Sequence, residues 1–165
     1  MKKLLRETFE KVYCINLDSR PDKWDTCEQE FKKYGISDVV ERWSGTQLPT
    51  KTHRAGARGC LASHLNIIKQ CISDKTSNVL ILEDDFEFLH YGLDYYNKTR
   101  KRIETDPREI LQLALKQLSD VQWDLFYLGY NIKLKQFCNK KILSENLFQA
   151  TGMLTTASYA LTIDM

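Results

Sequence analysis

Short, wholly apolar runs alternate along the chain with longer stretches in which apolar residues return every three or four positions. Val79-Leu-Ile-Leu82 follows Asn78 and runs straight into Glu83-Asp84-Asp85. A continuous apolar run of this length, bounded by polar residues, predicts a strand buried on both faces, as in a parallel sheet. Lys11-Val-Tyr-Cys-Ile-Asn-Leu17 predicts an earlier strand ending at Asp18-Ser19, and Val39 to Trp43 a second one, closed by Ser44-Gly45. Between them Ser19 or Asp18 can cap a helix whose first turn suits Pro21. Trp24, Cys27, Phe31 and Tyr34 recur on that helix, and Gly35 ends it.

Cys60 to Ser73 is the clearest helical stretch. Leu61, Leu65, Ile68 and Ile72 mark its apolar face, with His64 and Cys71 beside it. Tyr91 to Asp106 reads as a polar and aromatic excursion on the surface, and Asp106-Pro107 opens a further helix through Leu118. Asp124-Leu-Phe-Tyr-Leu-Gly129 predicts another apolar strand, while Phe137 to Leu143 and Ala157 to Ile163 predict shorter ones, with antiparallel pairing in view. Strands alternating with helices imply one three-layer α/β domain over residues 1–165.

Composition narrows the class. A chain of 165 residues can bury a sizeable core. A net charge of +2 gives no support to a nucleic-acid or charged-membrane partner. No apolar run approaches the roughly 20 residues that a membrane span needs. Met1-Lys-Lys-Leu-Leu-Arg-Glu7 lacks the apolar centre of a signal peptide, so a cytoplasmic location is expected. The five cysteines are odd in number and scattered, with no Cys-x-x-Cys pair, which argues against a disulfide scaffold or a zinc ribbon. Cys14, Cys60 and Cys71 lie in apolar contexts and are expected as small core residues.

Ligands of open α/β sheets gather beyond the carboxyl ends of the strands, where Glu83, Asp84 and Asp85 stand. Burying such acids unpaired would cost several kcal/mol each, and a cation or inward-aimed donors would remove that cost. Carboxylate oxygens with no Cys or His nearby in sequence point to Mn²⁺ or Mg²⁺ over zinc. The alternative is that the acids simply end the strand at the surface. Phe86 and Phe88 weaken it by continuing the apolar pattern.

Asn16-Leu17-Asp18-x-Arg20-Pro21-Asp22 sets polar side chains at a helix N-terminus, where Arg20 can grip a phosphate; taken alone it is a capping device. Gly59-Cys60-Leu-Ala-Ser63-His64 follows a loop carrying Arg54 and Arg58 and opens the next helix. Its glycine permits close backbone approach, and Ser63 and His64 can hydrogen-bond a sugar or phosphate. Singly, His64 reads as a satisfied core residue. Trp24 and Trp43 can stack on a base or sugar, although core packing is their commoner use, and Trp123 is expected to pack.

Leu80-Ile-Leu-Glu-Asp-Asp85 also looks like the opening of a bacterial receiver domain, but Gly129 stands where that fold needs its phosphorylated aspartate. The motifs in order, Ile15-Asn-Leu-Asp-x-Arg-Pro-Asp22, Gly59-Cys-x-x-Ser-His64, Leu80-Ile-Leu-Glu-Asp-Asp85 and Asp124-Leu-Phe-Tyr-Leu-Gly129, resemble glycosyltransferase family 25. That group includes lipopolysaccharide and procollagen galactosyltransferases. The resemblance runs from about Val12 to Tyr159, with Thr155-Thr-Ala-Ser-Tyr-Ala-Leu161 like the family's late strand.

It implies a GT-A fold, Rossmann-like with a mostly parallel central sheet. The implied reaction moves a hexose, typically galactose, from a UDP-sugar donor to a hydroxyl of a glycan or protein acceptor, with inversion. Asp85 would hold Mn²⁺ (or Mg²⁺) against the diphosphate, with Glu83 as a further ligand or facing the ribose or the ion's water shell. Asn16, Leu17, Arg20, Gly45, Ser63, His64, Glu83 and Asp84 form the implied nucleotide-sugar set. The catalytic base is unassigned, with Asp124 a thin candidate because it begins its strand. Family members continue past Met165, so a truncated chain, a site completed by an oligomer or partner subunit, and a catalytically incomplete nucleotide-sugar-binding module stand as alternatives.

Overall fold

The run Asn78–Glu83 is the middle strand of a five-stranded sheet. The computed structural model describes residues 1–49, 53–93, 102–128, 140–144, 147–150 and 158–163. In chain order the elements are α1 (Lys2–Thr8), β1 (Lys11–Asn16), α2 (Pro21–Tyr34), β2 (Glu41–Ser44), α3 (Ala55–Asp74) and β3 (Asn78–Glu83). They continue with β4 (Tyr91–Leu93), β5 (Arg102–Glu104), α4 (Pro107–Leu118), β6 (Leu125–Tyr127), β7 (Lys140–Ile142), β8 (Phe148–Ala150) and β9 (Ser158–Thr162). Gly129, Phe137 and Thr155 to Ala157, which belong to the expected strands and motifs, lie outside the described residues, as does Cys138, the fifth cysteine.

The sheet order is β2-β1-β3-β9-β6. β1 runs parallel to both β2 and β3, whereas β9 is antiparallel to β3 and to β6. The sheet is therefore mixed: β2, β1, β3 and β6 share one direction, and β9 alone runs against them, inserted between β3 and β6. β4 with β5 and β7 with β8 form two separate antiparallel pairs.

Alternation of side chains along the strands divides the core in two. Val12, Cys14, Leu80, Leu82 and Ala160 face α1, α2 and α4, meeting Leu5, Phe9, Cys27, Phe31, Tyr34, Leu111 and Leu115. Tyr13, Ile15, Val79, Ile81 and Tyr159 face α3, meeting Ile67 and Cys71. All four of Val79 to Leu82 are buried, as the apolar run required. Each such side chain contributes roughly 1.5–3 kcal/mol on removal from water.

α2 keeps its expected bounds: Pro21 opens it, and Gly35 closes it at φ 66, in the left-handed region. Its cap differs, because Asp18 is drawn away to Arg42 and Ser44, leaving Arg20 at the cap position without a side-chain bond. α1 has no counterpart in the sequence reading; its sequence is largely charged and Leu5 alone among its residues is buried.

α3 departs most. It starts at Ala55, five residues before the expected Cys60, so Arg58 and Gly59 lie within it and do not precede it. Its buried residues are Gly59, Ser63, His64, Ile67 and Cys71, while Leu61, Leu65 and Ile72 are 59%, 45% and 55% exposed. The apolar stripe thus faces outward. The physical reason is close approach: a Cβ at Gly59 would run into the Thr46 carbonyl oxygen. Ser63 Oγ meanwhile accepts from the Thr46 N–H at 2.8 Å and donates to the Gly59 carbonyl at 2.8 Å. A glycine inside a helix costs roughly 0.5–1 kcal/mol relative to alanine. Here it lets the helix dock on the segment after β2.

Candidate functional site

β1 is followed in space by β2 on one side and by β3 on the other, so the direction of winding reverses between β1 and β3. Such a switch point, at the carboxyl ends of the strands, is where open α/β sheets hold ligands. Asn16 ends β1 there, and Glu83-Asp84-Asp85 ends β3.

Consecutive residues leaving a strand point to opposite faces, and the three acids separate accordingly. Asp84 continues the α2 face. Its Oδ2 accepts from Asn16 Nδ2 at 2.7 Å, and its carbonyl accepts from the Cys27 thiol at 3.6 Å. Asn16 is 1% exposed and fully used. Its Nδ2 also donates to the Arg20 carbonyl at 3.0 Å, and its Oδ1 accepts from Arg42 Nε at 3.0 Å and from an Arg42 terminal nitrogen at 2.7 Å. Arg42 reaches on to Asp18 at 2.9 Å and lies over the Trp24 ring, 5.5 Å from its centre. Ser44 donates to the other Asp18 oxygen at 2.6 Å, and that hydrogen bond, helped by Arg42, holds the Asp18 carboxyl below its ordinary range.

Glu83 takes the α3 face. Its Oε1 lies 3.1 Å from His64 Nε2 and 3.9 Å from the Cys60 thiol, which donates to it. The other imidazole nitrogen, Nδ1, is 2.9 Å from the Tyr159 hydroxyl of β9. Burial raises the Tyr159 hydroxyl above its ordinary value, so this phenol stays protonated. Among the described residues, Cys60, His64 and Glu83 form the one group of three metal-capable side chains, with their ligand atoms within 4.8 Å of one another. The local sequence around Glu83 held no Cys or His; the fold supplies both from α3.

Asp85 is exposed in the turn that follows and stands outside that group. Leu17 and Gly45 pack together: a Cβ on Gly45 would come within 3.1 Å of a Leu17 methyl, and the Gly45 N–H donates to the Asn16 carbonyl at 2.9 Å. Ser63 is 1% exposed and engaged with Thr46 and Gly59, which suits it to positioning the 45–48 segment. Arg20 is exposed and paired in two-pronged fashion with Asp22, at 2.9 and 2.8 Å.

Asp124 is not brought to the site. Its carbonyl accepts from the Thr162 N–H, and Thr162 pairs with Asn78, at the opposite end of β3. Five residue-to-residue steps along β3, about 16 Å at ~3.3 Å per residue, separate that level from Glu83.

Three residues now in the site were not among the sequence candidates. Arg42 could have been found from parity, since the register β1 shares with β2 sets it opposite Cys14, two residues from Asn16. Cys60, whose apolar sequence neighbours suggest a core position, is only half-buried. Tyr159 had no local signal, because β9 reaches His64 from 95 residues away.

No helix among the described residues is long and apolar enough to cross a membrane. A family described as "Glycosyltransferase family 25 (LPS biosynthesis protein)" matches residues 9–165. A Drosophila melanogaster protein named "Glycosyltransferase 25 family member" is 26% identical over 178 residues, covering 94% of this chain and 27% of that protein. "Procollagen galactosyltransferase 2" of Mus musculus is 23% identical over 94% of this chain and 26% of its own length. "Inactive glycosyltransferase 25 family member 3" of Mus musculus is 26% identical over 78% of this chain and 23% of its own length. The chain spans about a quarter of the length of these relatives.

Proposed function

The chain belongs to glycosyltransferase family 25, and from that premise we propose that it binds a UDP-hexose across the carboxyl ends of β1 and β3. The reaction is transfer of the hexose, galactose by preference, to a hydroxyl of a glycan or protein acceptor, on a GT-A arrangement and with inversion. The observation that carries this reading is the convergence of Asn16, Arg42, Glu83 and Asp84 from three strands on the switch point of the sheet.

Each group has a task. Asn16, locked by Arg42 and Asp84, fixes the floor of the crevice, and the Leu17–Gly45 contact lets the two strand ends close on it. Ser63 holds the segment after β2 against α3, which shapes the crevice wall. Arg20 can exchange its Asp22 partner for a diphosphate oxygen, since the pair is exposed. The exposed Asp85 carboxylate suits a hard cation such as Mn²⁺ or Mg²⁺, with Glu83 toward its water shell or the ribose. Such an ion offsets the charge that develops on a departing diphosphate.

The test is calorimetric titration of UDP-galactose, UDP-glucose and UDP into the protein, with Mn²⁺ and with EDTA. Metal-dependent binding that prefers UDP-galactose is expected, and Asp85→Ala is expected to remove the metal dependence. Normal binding by that variant would overturn the assignment of Asp85. A second reading, a nucleotide-sugar-binding module without turnover, is favoured by the likeness to a relative named inactive. It expects UDP binding without hexose transfer.

A further inference from the structure

We propose that Cys60, His64 and Glu83 form a binding site for a zinc-type divalent ion, distinct from any hard cation at Asp85. Cys60 and His64 are four residues apart on α3 and so share one face, one turn apart. Glu83, the last residue of β3, brings its carboxylate to that face. The His64 Nε2 to Glu83 Oε1 distance is 3.1 Å, the Cys60 Sγ to Glu83 Oε1 distance 3.9 Å, and all three ligand atoms lie within 4.8 Å. Around a tetrahedral ion with bonds of ~2.0–2.3 Å, ligand atoms stand roughly 3.3–3.8 Å apart. Side-chain adjustments of an ångström or less would close the set.

The support around the ligands is also in place. A metal-bound histidine characteristically gives its second ring N–H to a fixed partner, which sets the tautomer and aims the lone pair. The buried Tyr159 hydroxyl, 2.9 Å from His64 Nδ1, is such a partner. Without an ion, the neutral tautomer that satisfies both contacts has its ring proton on Nε2, donated to Glu83, with Tyr159 donating to Nδ1. On binding, the ring proton moves to Nδ1 and is donated to the Tyr159 oxygen, freeing the Nε2 lone pair. The Cys60 thiol proton leaves to solvent, so about one proton is released per ion.

The donor set decides the class of ion. Thiolate, imidazole and one carboxylate favour Zn²⁺ or Co²⁺, whereas Mn²⁺ and Mg²⁺ favour oxygen donors alone. Three protein ligands leave a fourth position for water or an oxygen of a ligand. His64 is buried while Cys60 and Glu83 are partly exposed, so an ion can reach the three side chains from solvent. The proposal shares Glu83 with the nucleotide-sugar reading but does not depend on it.

The experiment is titration of the reduced full chain with Co²⁺, read by absorption and by proton release. Expected are one ion per chain, a thiolate-to-cobalt charge-transfer band, tetrahedral visible bands, and displacement by Zn²⁺. Cys60→Ser, a near-isosteric change at a half-buried position, should abolish the charge-transfer band while circular dichroism stays native. Tyr159→Phe should weaken Co²⁺ binding 10–100-fold without removing the band. Asp85→Asn should keep the band. Absence of a thiolate band in the native chain, or its survival in Cys60→Ser, overturns the proposal. An intact band with no UDP binding would count only against the nucleotide-sugar reading.

Discussion

Glu83 and Asp84 are neighbours in the chain and carry the same chemistry, yet they serve two unlike regions. Asp84 enters a network of side-chain amide, guanidinium and hydroxyl groups shared by β1, β2 and the loop after β1. Glu83 enters a line of imidazole, thiol and phenol shared by α3 and β9. The difference comes from parity along β3, not from local composition. The first region is suited to rigidity: Asn16 is saturated, and its partners lock one another. The second holds groups that can gain or lose a proton or accept an ion. One strand end thus presents a fixed wall and a responsive one.

The strand common to both regions should show the largest effect. Leu80→Ala opens a cavity on the α2 side and Ile81→Ala one on the α3 side, at positions 2% and 0% exposed. Each should lose about 2–5 kcal/mol in denaturant unfolding. A much smaller loss at Ile81 would mean that the α3 layer packs more loosely than its partner layer. Asn16→Ala comes next, because it removes a hydrogen-bond partner from both Arg42 and Asp84. A loss of about 1–3 kcal/mol is expected by chemical denaturation, against a change within ~0.5 kcal/mol for metal-free Cys60→Ser. Equal losses would erase the contrast between a fixed and a responsive wall.

Gly59→Ala sharpens the comparison through its sign. At an ordinary helical site the change stabilises by roughly 0.5–1 kcal/mol, but here the new methyl meets the Thr46 carbonyl, so thermal unfolding should show a lower Tm. The smallest effect is acid sensitivity. Asp18 is held below its ordinary range by Ser44 and then Arg42, so its stabilisation is full above the unfolded value of ~3.9. That contribution is lost as pH falls through the lower folded value. Ser44→Ala should therefore flatten the loss of stability below about pH 4, measured as unfolding midpoint against pH.

Much of the left half of the sheet was legible because its signals are local. The Val79–Leu82 run, Pro21 and Gly35 each act on their own neighbours, and β1, α2 and β3 fall where they indicate. α3 was legible as a helix but not in its orientation. Its sequence puts the larger apolar residues on one stripe, while docking is decided by what Gly59 and Ser63 permit against Thr46. The order of the motifs carried the family, and the acidic run carried the end of β3, where Glu83 and Asp84 stand. What sequence alone could not carry was the split of the acids, since it needs both the parity of β3 and the rotation of α3. For the same reason Cys60 was read as core and Tyr159 as mere strand, although both stand beside His64.

The most direct measurement of where the nucleotide binds is amide hydrogen exchange with and without UDP plus Mn²⁺. Slowed exchange is expected at Leu17 to Arg20, at Gly45 to Leu48 and at Glu83 to Asp85, with the remote β6 start near Asp124 unchanged. Protection centred away from the β1 and β3 ends, with those segments unaffected, would contradict this placement.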